Sequence, residues 1–137
     1  FEAGTPPIAQ AVGLGAAVRW LMSLDWQAVA AHELGLTQRL LDALGADRRV
    51  RIIGPTGLQG RLSVVSFDLE GAHPHDVCQI LDARGVALRG GHHCAQPLMD
   101  RLDLAGTTRA SIALYNDSSD IDALVEGIGE TARRLLT

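Results

Sequence analysis

A guanidinium, two imidazoles and a thiol lie close together in Arg89-Gly90-Gly91-His92-His93-Cys94-Ala95-Gln96-Pro97. A thiol attacks only as its thiolate, and a nearby arginine, a protonated histidine or a helix N-terminus favours that anion. Cys94 has all three candidates close in sequence, because Pro97 is suited to opening a helical turn. Nucleophilic sulfur chemistry is therefore open to this loop. Loop composition alone leaves a second reading equally open, in which Cys94 packs in the core and the histidines are solvated. A metal module is a third reading, since His73, His75, Cys78, His92, His93 and Cys94 supply borderline ligands from two segments. Spacing argues against it: zinc sites favour paired ligands two to four residues apart, and three adjacent residues do not easily turn toward one ion.

Two further positions carry chemistry. Arg109 sits in the β-rich run Thr108 to Leu114, where an unpaired charge is costly, so it calls for an anionic partner. An internal Asp or Glu is the usual partner, and a substrate carboxylate also suits the planar guanidinium fork. Gly4-Thr5-Pro6 combines a free amide, a hydroxyl and a helix start, the parts of a phosphate contact, although such a run is ordinarily a turn with a cap.

The elements that must hold these groups can be read from periodicity. Ile8, Val12, Ala16 and Trp20 recur at helical spacing to about Leu24, behind Pro6 and Pro7. Asp25 is a plausible cap for a second helix through Trp26, Leu36, Leu40 and Leu44, ending near Gly45. Val50 to Ile53 and Leu62 to Phe67 read as a hairpin across a glycine-rich turn. A short helix is expected over Val77 to Ala83, capped by Asp76 and stopped by Gly85, then a brief strand over Val86 to Arg89. After the polar loop come a helical turn from Pro97 to Leu102, a strand from Thr108 to Leu114, and a terminal helix capped by Asp117 or Ser118. The order predicts an α+β domain: a small, mostly antiparallel sheet of about four strands with helices packed on one face.

Composition narrows the function classes. The 137 residues make one domain's worth of chain, and 47% hydrophobic with 20% charged residues favours a folded, soluble domain. A formal charge of -4, with scattered arginines, gives no footprint for nucleic acid. The longest apolar stretch, Ile8 to Val18, contains Gln10 and falls well short of the roughly 20 residues that span a bilayer. The start has neither an initiator Met nor signal-peptide regions, which reads as a fragment of a longer chain, and two cysteines without secretory features suggest the cytoplasm. Every basic residue is arginine: with no lysine, no Schiff base can form on a side chain here.

Taken together, FEAGTPPIAQAVGLGAAVRWL, HPHDVCQILDARGVALRGGHHCAQPLM and TTRASIALYN resemble the group II cysteine desulfurases, pyridoxal phosphate (PLP) enzymes of the class V aminotransferase family. The resemblance covers almost the whole chain, and RGGHHCA is its most specific part, because group I enzymes carry their cysteine in a longer, serine-rich loop. It implies the C-terminal small domain of a fold type I enzyme, with residues 1–24 an entry segment and interdomain helix and 25–137 the sheet and helix domain. Cys94 matches the cysteine that takes the substrate's sulfur as a persulfide, and Arg109 the arginine that holds the α-carboxylate of L-cysteine. Arg89 and His92 match loop positions around the substrate, and Thr5, beside Gly4, matches a contact to the PLP phosphate of the partner subunit. The implied partners are the chain's own large domain, a homodimer partner and a sulfur-acceptor protein for iron-sulfur cluster assembly. The implied Schiff-base lysine belongs to the large domain, so the isolated chain is expected to be inactive. A class V aminotransferase or selenocysteine lyase domain is the alternative within the family. Pro7, often Asn in the family, and Gln96, often Met, depart from the pattern at positions without an assigned role.

Overall fold

The computed structural model describes residues 3–136, which fall into two compact units, one up to Ala30 and one from Ala31 onward. In the first unit, α1 (Ile8–Met22) starts directly behind Pro6 and Pro7 and ends where the Ser23 hydroxyl donates to the Trp20 carbonyl. α2 (Trp26–Ala46) begins in this unit and continues into the second. Asp25 caps it as expected, its carboxylate accepting from the amides of Gln27 and Ala28 at 3.0 and 3.1 Å.

The second unit adds β1 (Val50–Ile53), β2 (Val64–Leu69), α3 (Pro74–Asp82), β3 (Arg89–Gly91), α4 (Gln96–Leu102), β4 (Thr107–Ser111) and α5 (Ser118–Leu135). The four strands form one antiparallel sheet in the order β1-β2-β4-β3. The expected α+β class and the antiparallel sheet of four strands are what the chain forms. Alternation along β2 buries Val65, Phe67 and Leu69 on one face. Against them pack Leu40 and Leu44 of α2, Val77 and Leu81 of α3, and Leu124 and Ile128 of α5. Burying each such side chain contributes roughly 1.5–3 kcal/mol, which makes this single layer of helices the main stabiliser of the sheet.

Several boundaries differ from the expectation, each for a local reason. β2 begins at Val64 rather than Leu62, because cross-strand pairing with β4 starts at Val64, opposite Ser111, although the alternation of burial already runs through exposed Leu62 and buried Ser63. α3 begins at Pro74, three residues before Val77, and its cap is His73 rather than Asp76: the His73 ring nitrogen accepts from the His75 amide at 3.3 Å. Proline suits the first helical position, where its missing N–H costs nothing. Gln96 to Leu102 forms a full short helix, α4, whose Met99 is buried. Asp117 caps α5, and the Asp120 carboxylate reaches back to the Asp117 amide in a reciprocal capping box.

The strand expected over Val86 to Arg89 is displaced to Arg89–Gly91. Val86 and Leu88 are partly buried against the core but lie outside the strand ladder. β-propensity marks a side chain that suits a half-buried surface, and strand pairing is a separate condition. Pairing falls instead on the glycines, where a Cβ on Gly90 would lie 2.9 Å from the Pro74 carbonyl oxygen and 3.0 Å from Cys78 Sγ. The bare backbone at Gly90 is what lets β3 lie directly on α3.

Candidate active site

α2, α3 and α5 cover one face of the sheet, and the register decides what appears on the other. Directly paired residues share a face. Phe67 pairs with Thr108 and Gly90 with Thr108, so these belong to the helix side. Ser66 pairs with Arg109 and Arg89 with Arg109, so both guanidiniums stand on the opposite face, one strand apart. Like charges directly opposite each other repel unless an anion comes between them.

No such anion is supplied by the described residues. Neither Arg89 nor Arg109 joins an ion pair there, and the buried Nε of Arg109 has no hydrogen-bond partner. The internal carboxylate expected beside Arg109 is therefore absent among the described residues, because the strands that flank it present Ser66 and Arg89 at its level. A half-buried guanidinium with an orphaned donor is a ready receptor for an incoming carboxylate.

Leaving β3, the chain turns sharply. His93 and Cys94 take φ of 55° and 60°, the left-handed region that non-glycine residues seldom occupy. The turn is closed by the Ala95 amide donating to the His92 carbonyl at 2.9 Å. It leaves Cys94 exposed, with Nη2 of Arg89 3.9 Å from its Sγ, a long charge-assisted contact to sulfur. Burial of Cys94 in the core, one of the readings open from composition, is excluded by this placement.

His92 is exposed, whereas the His93 ring turns inward and reaches β4. Its Nε2 lies 3.1 Å from the Thr107 carbonyl oxygen and 2.8 Å from the Thr107 hydroxyl. Burial pushes the His93 pKa below the ordinary imidazole value; the Thr107 carbonyl opposes the shift, and Arg109, Arg89 and His92 add to it. Cys78, the other thiol, lies in α3 under Gly90, where burial pushes its pKa up and a hydrogen bond with Thr108 partly opposes this. The exposed thiol beside a guanidinium, Cys94, is thus the candidate nucleophile.

Two clefts flank the loop. An open one of about 650 Å³ is lined by Arg89, His92, Cys94, Gln96, His73 and His75. A second of about 390 Å³ lies over the open sheet face, between Ile53 and Ser66 on one side and Met99 and Leu102 on the other, and Arg109 lines it. His92 and His93 border both. Among the described residues no three His, Cys, Asp or Glu side chains converge on a point that could hold a metal. The rings of His73 and His75 instead meet edge to face, 5.1 Å apart.

Of the residues singled out from sequence, Cys94, Arg89, Arg109 and His92 are therefore brought together in the second unit. Gly4 and Thr5 belong to the first unit, where Gly4 takes φ of 104° and Thr5 is exposed just ahead of α1. His93 enters the sequence reading only as one of two imidazoles beside the thiol and as a candidate metal ligand, with no role toward the sheet. Two consecutive histidines after a glycine pair give no sign of which ring faces the sheet; only the left-handed turn decides it.

Comparison with known proteins places the chain in a family. The family described as aminotransferase class-V matches residues 1–124. A probable cysteine desulfurase of Streptomyces coelicolor is 51% identical over 128 residues, which are 93% of this chain and 31% of that protein. A counterpart from Mycobacterium leprae is 50% identical over 128 residues, 93% of this chain and 31% of that protein. Among solved structures, the Escherichia coli cysteine desulfurase CsdA superposes with a TM-score of 0.87 at 38% identity, over 98% of this chain and 33% of that one. Cysteine desulfurase from Thermococcus onnurineus gives 0.89 at 38% identity, over 98% of this chain and 34% of that one. This chain spans about a third of such proteins, and the match falls on their C-terminal part. With the family matched over most of its length and desulfurase relatives at half identity, the chain belongs to the aminotransferase class-V family, as a piece similar to the C-terminal part of its cysteine desulfurases.

Proposed function

We propose that this chain is the substrate-side domain of a PLP-dependent cysteine desulfurase, which converts L-cysteine to L-alanine and takes the sulfur onto Cys94 as a persulfide. The observation that carries the reading is the cross-strand pair Arg89 and Arg109, with no carboxylate partner among the described residues and with an exposed thiol 3.9 Å from Arg89.

The residues present fit a cofactor-borne amino acid rather than the cofactor's covalent anchor. Arg109 offers an orphaned, buried donor for a carboxylate, while a chain without lysine has no side-chain amine to bind PLP. When bound by the longer polypeptide, PLP supplies the electron sink that weakens the bond between the substrate's sulfur and its carbon. Arg109 holds the substrate carboxylate, which fixes where the sulfur points. The Cys94 thiolate attacks that sulfur: an S–S bond forms, the C–S bond breaks, and its electron pair stays with the carbon, which takes up a proton to become alanine. The sum is L-cysteine plus a thiol giving L-alanine plus a persulfide, so no external oxidant is required. Arg89 stabilises negative charge on the attacking sulfur and afterwards on the terminal persulfide sulfur, and His92 stands at the mouth where a second protein would collect it.

The remaining assignments follow from the same reading. Residues 1–24 serve as entry segment and interdomain helix, with Thr5 and Gly4 toward the PLP phosphate of a dimer partner, and residues 25–137 form the sheet and helix domain. The partner that takes the sulfur is a protein of iron-sulfur cluster assembly, in the cytoplasm. The test is made on the full-length parent, by PLP content and by alanine and sulfide release from L-cysteine. Wild type is expected to make both products, and Cys94→Ala to keep its PLP while losing cysteine turnover. A parent without PLP, or a Cys94→Ala variant as active as wild type, would return the chain to the metal-module or aminotransferase reading.

A further inference from the structure

We propose that His93 is a positioning residue for the thiol: by donating its Nε2–H to Thr107 it holds the left-handed His93–Cys94 turn that keeps Cys94 Sγ outward beside Arg89. The proposal rests on the sulfur-transfer reading above and adds to it a residue that never touches the substrate sulfur.

Two consecutive left-handed residues, neither of them glycine, persist only when their surroundings over-determine them. The loop's own hydrogen bond, from the Ala95 amide to the His92 carbonyl, closes the turn but ties it to nothing else. The side-chain tie to the sheet is the His93 ring on Thr107, the first residue of β4. A carbonyl oxygen can only accept, so Nε2 carries the proton and Nδ1 carries the lone pair. That Nδ1 is buried without a partner, an unfavourable placement that an apolar side chain of similar size would avoid. What the imidazole offers in return is the Nε2–H.

The backbone is built to let the ring reach. A Cβ on Gly106 would lie 3.0 to 3.1 Å from the backbone of Gly91, so the end of β3 and the start of β4 approach more closely than side chains would permit. Gly91, at φ of 119°, then swings the chain across, and His93 meets Thr107 two residues later. Arg89 precedes this turn and Cys94 ends it, so their 3.9 Å separation is set by a turn whose side-chain tether is His93.

The experiment compares wild type, His93→Leu and His93→Gln in the PLP-loaded parent. Leucine fills the slot without a donor, and the glutamine amide nitrogen can stand where Nε2 stands. For His93→Leu the expected result is unchanged PLP content, a KM for cysteine within about twofold of wild type and a kcat lower by about tenfold or more. His93→Gln is expected to recover kcat to within about threefold of wild type. The alkylation rate of Cys94 by iodoacetamide, read by mass spectrometry of its peptide, is expected to change about threefold or more in His93→Leu and to stay near wild type in His93→Gln. A His93→Leu enzyme with wild-type kcat and alkylation rate, or a glutamine variant no better than leucine, overturns the proposal. If His93→Leu loses PLP, the glutamine variant decides: wild-type behaviour supports the tether and a tenfold loss of kcat with PLP retained overturns it. If wild-type parent makes no alanine, the sulfur-transfer reading fails, and the alkylation rates still decide the role of His93.

Discussion

Arg109 is where the residue scale is most informative. Its position in a β-rich run was legible, and so was the need for an anion; the identity of that anion was not. An internal Asp or Glu is the usual partner of a half-buried arginine, and what removes it here is register, with Ser66 and Arg89 standing on either side of Arg109. Register depends on where β3 begins, which local composition placed three residues too early. Cys94 was legible because its neighbours are charged or flexible within a few residues, whereas His93 was not, because its partner Thr107 lies 14 residues away. If Arg109 receives the substrate carboxylate, Arg109→Lys in the parent keeps the charge but loses the planar fork. The expected outcome is a KM for L-cysteine raised by about tenfold with PLP content unchanged, measured by steady-state alanine formation.

At the scale of elements, helices were read more accurately than strands. Helical periodicity and the caps at Asp25 and Asp117 are local signals, and both caps form as expected. Strand limits rest on pairing with distant residues, so β2 and β3 both shifted. The cap of α3 also moved, to His73, because Pro74 is better placed at a helix start than within one. The contact between β3 and α3 yields a stability prediction. Adding a methyl at Gly90 brings it to 2.9 Å from a carbonyl oxygen that cannot rotate away, so Gly90→Ala should destabilise the fold by about 1–3 kcal/mol. Urea unfolding of the 137-residue chain would measure this, and Cys78→Ala in the same background should recover part of the loss, since its Sγ, at 3.0 Å, is another of the close atoms, beside His75 Cδ2 at 3.1 Å.

At the scale of the molecule, Arg89, His92, Cys94 and Arg109 lie on one unit and Gly4 and Thr5 on another. The absence of lysine gives the plainest prediction at this scale. Incubated with PLP and L-cysteine, the 137-residue chain should form no alanine above a blank containing the cofactor alone, as followed by amino-acid analysis. Alanine above that blank would mean that catalysis does not need an anchoring amine from elsewhere in a longer polypeptide.

The strand order β1-β2-β4-β3 places Arg109 on an interior strand, flanked by neighbours on both sides, and Arg89 on a three-residue margin with a single neighbour. The two guanidiniums therefore differ in how firmly they are moored. Fraying of the margin would carry Arg89 outward by itself, because the Cys94 turn is tied through His93 to Thr107 on the same interior strand that holds Arg109. Cys94 and Arg109 thus share one anchorage, from which Arg89 can part.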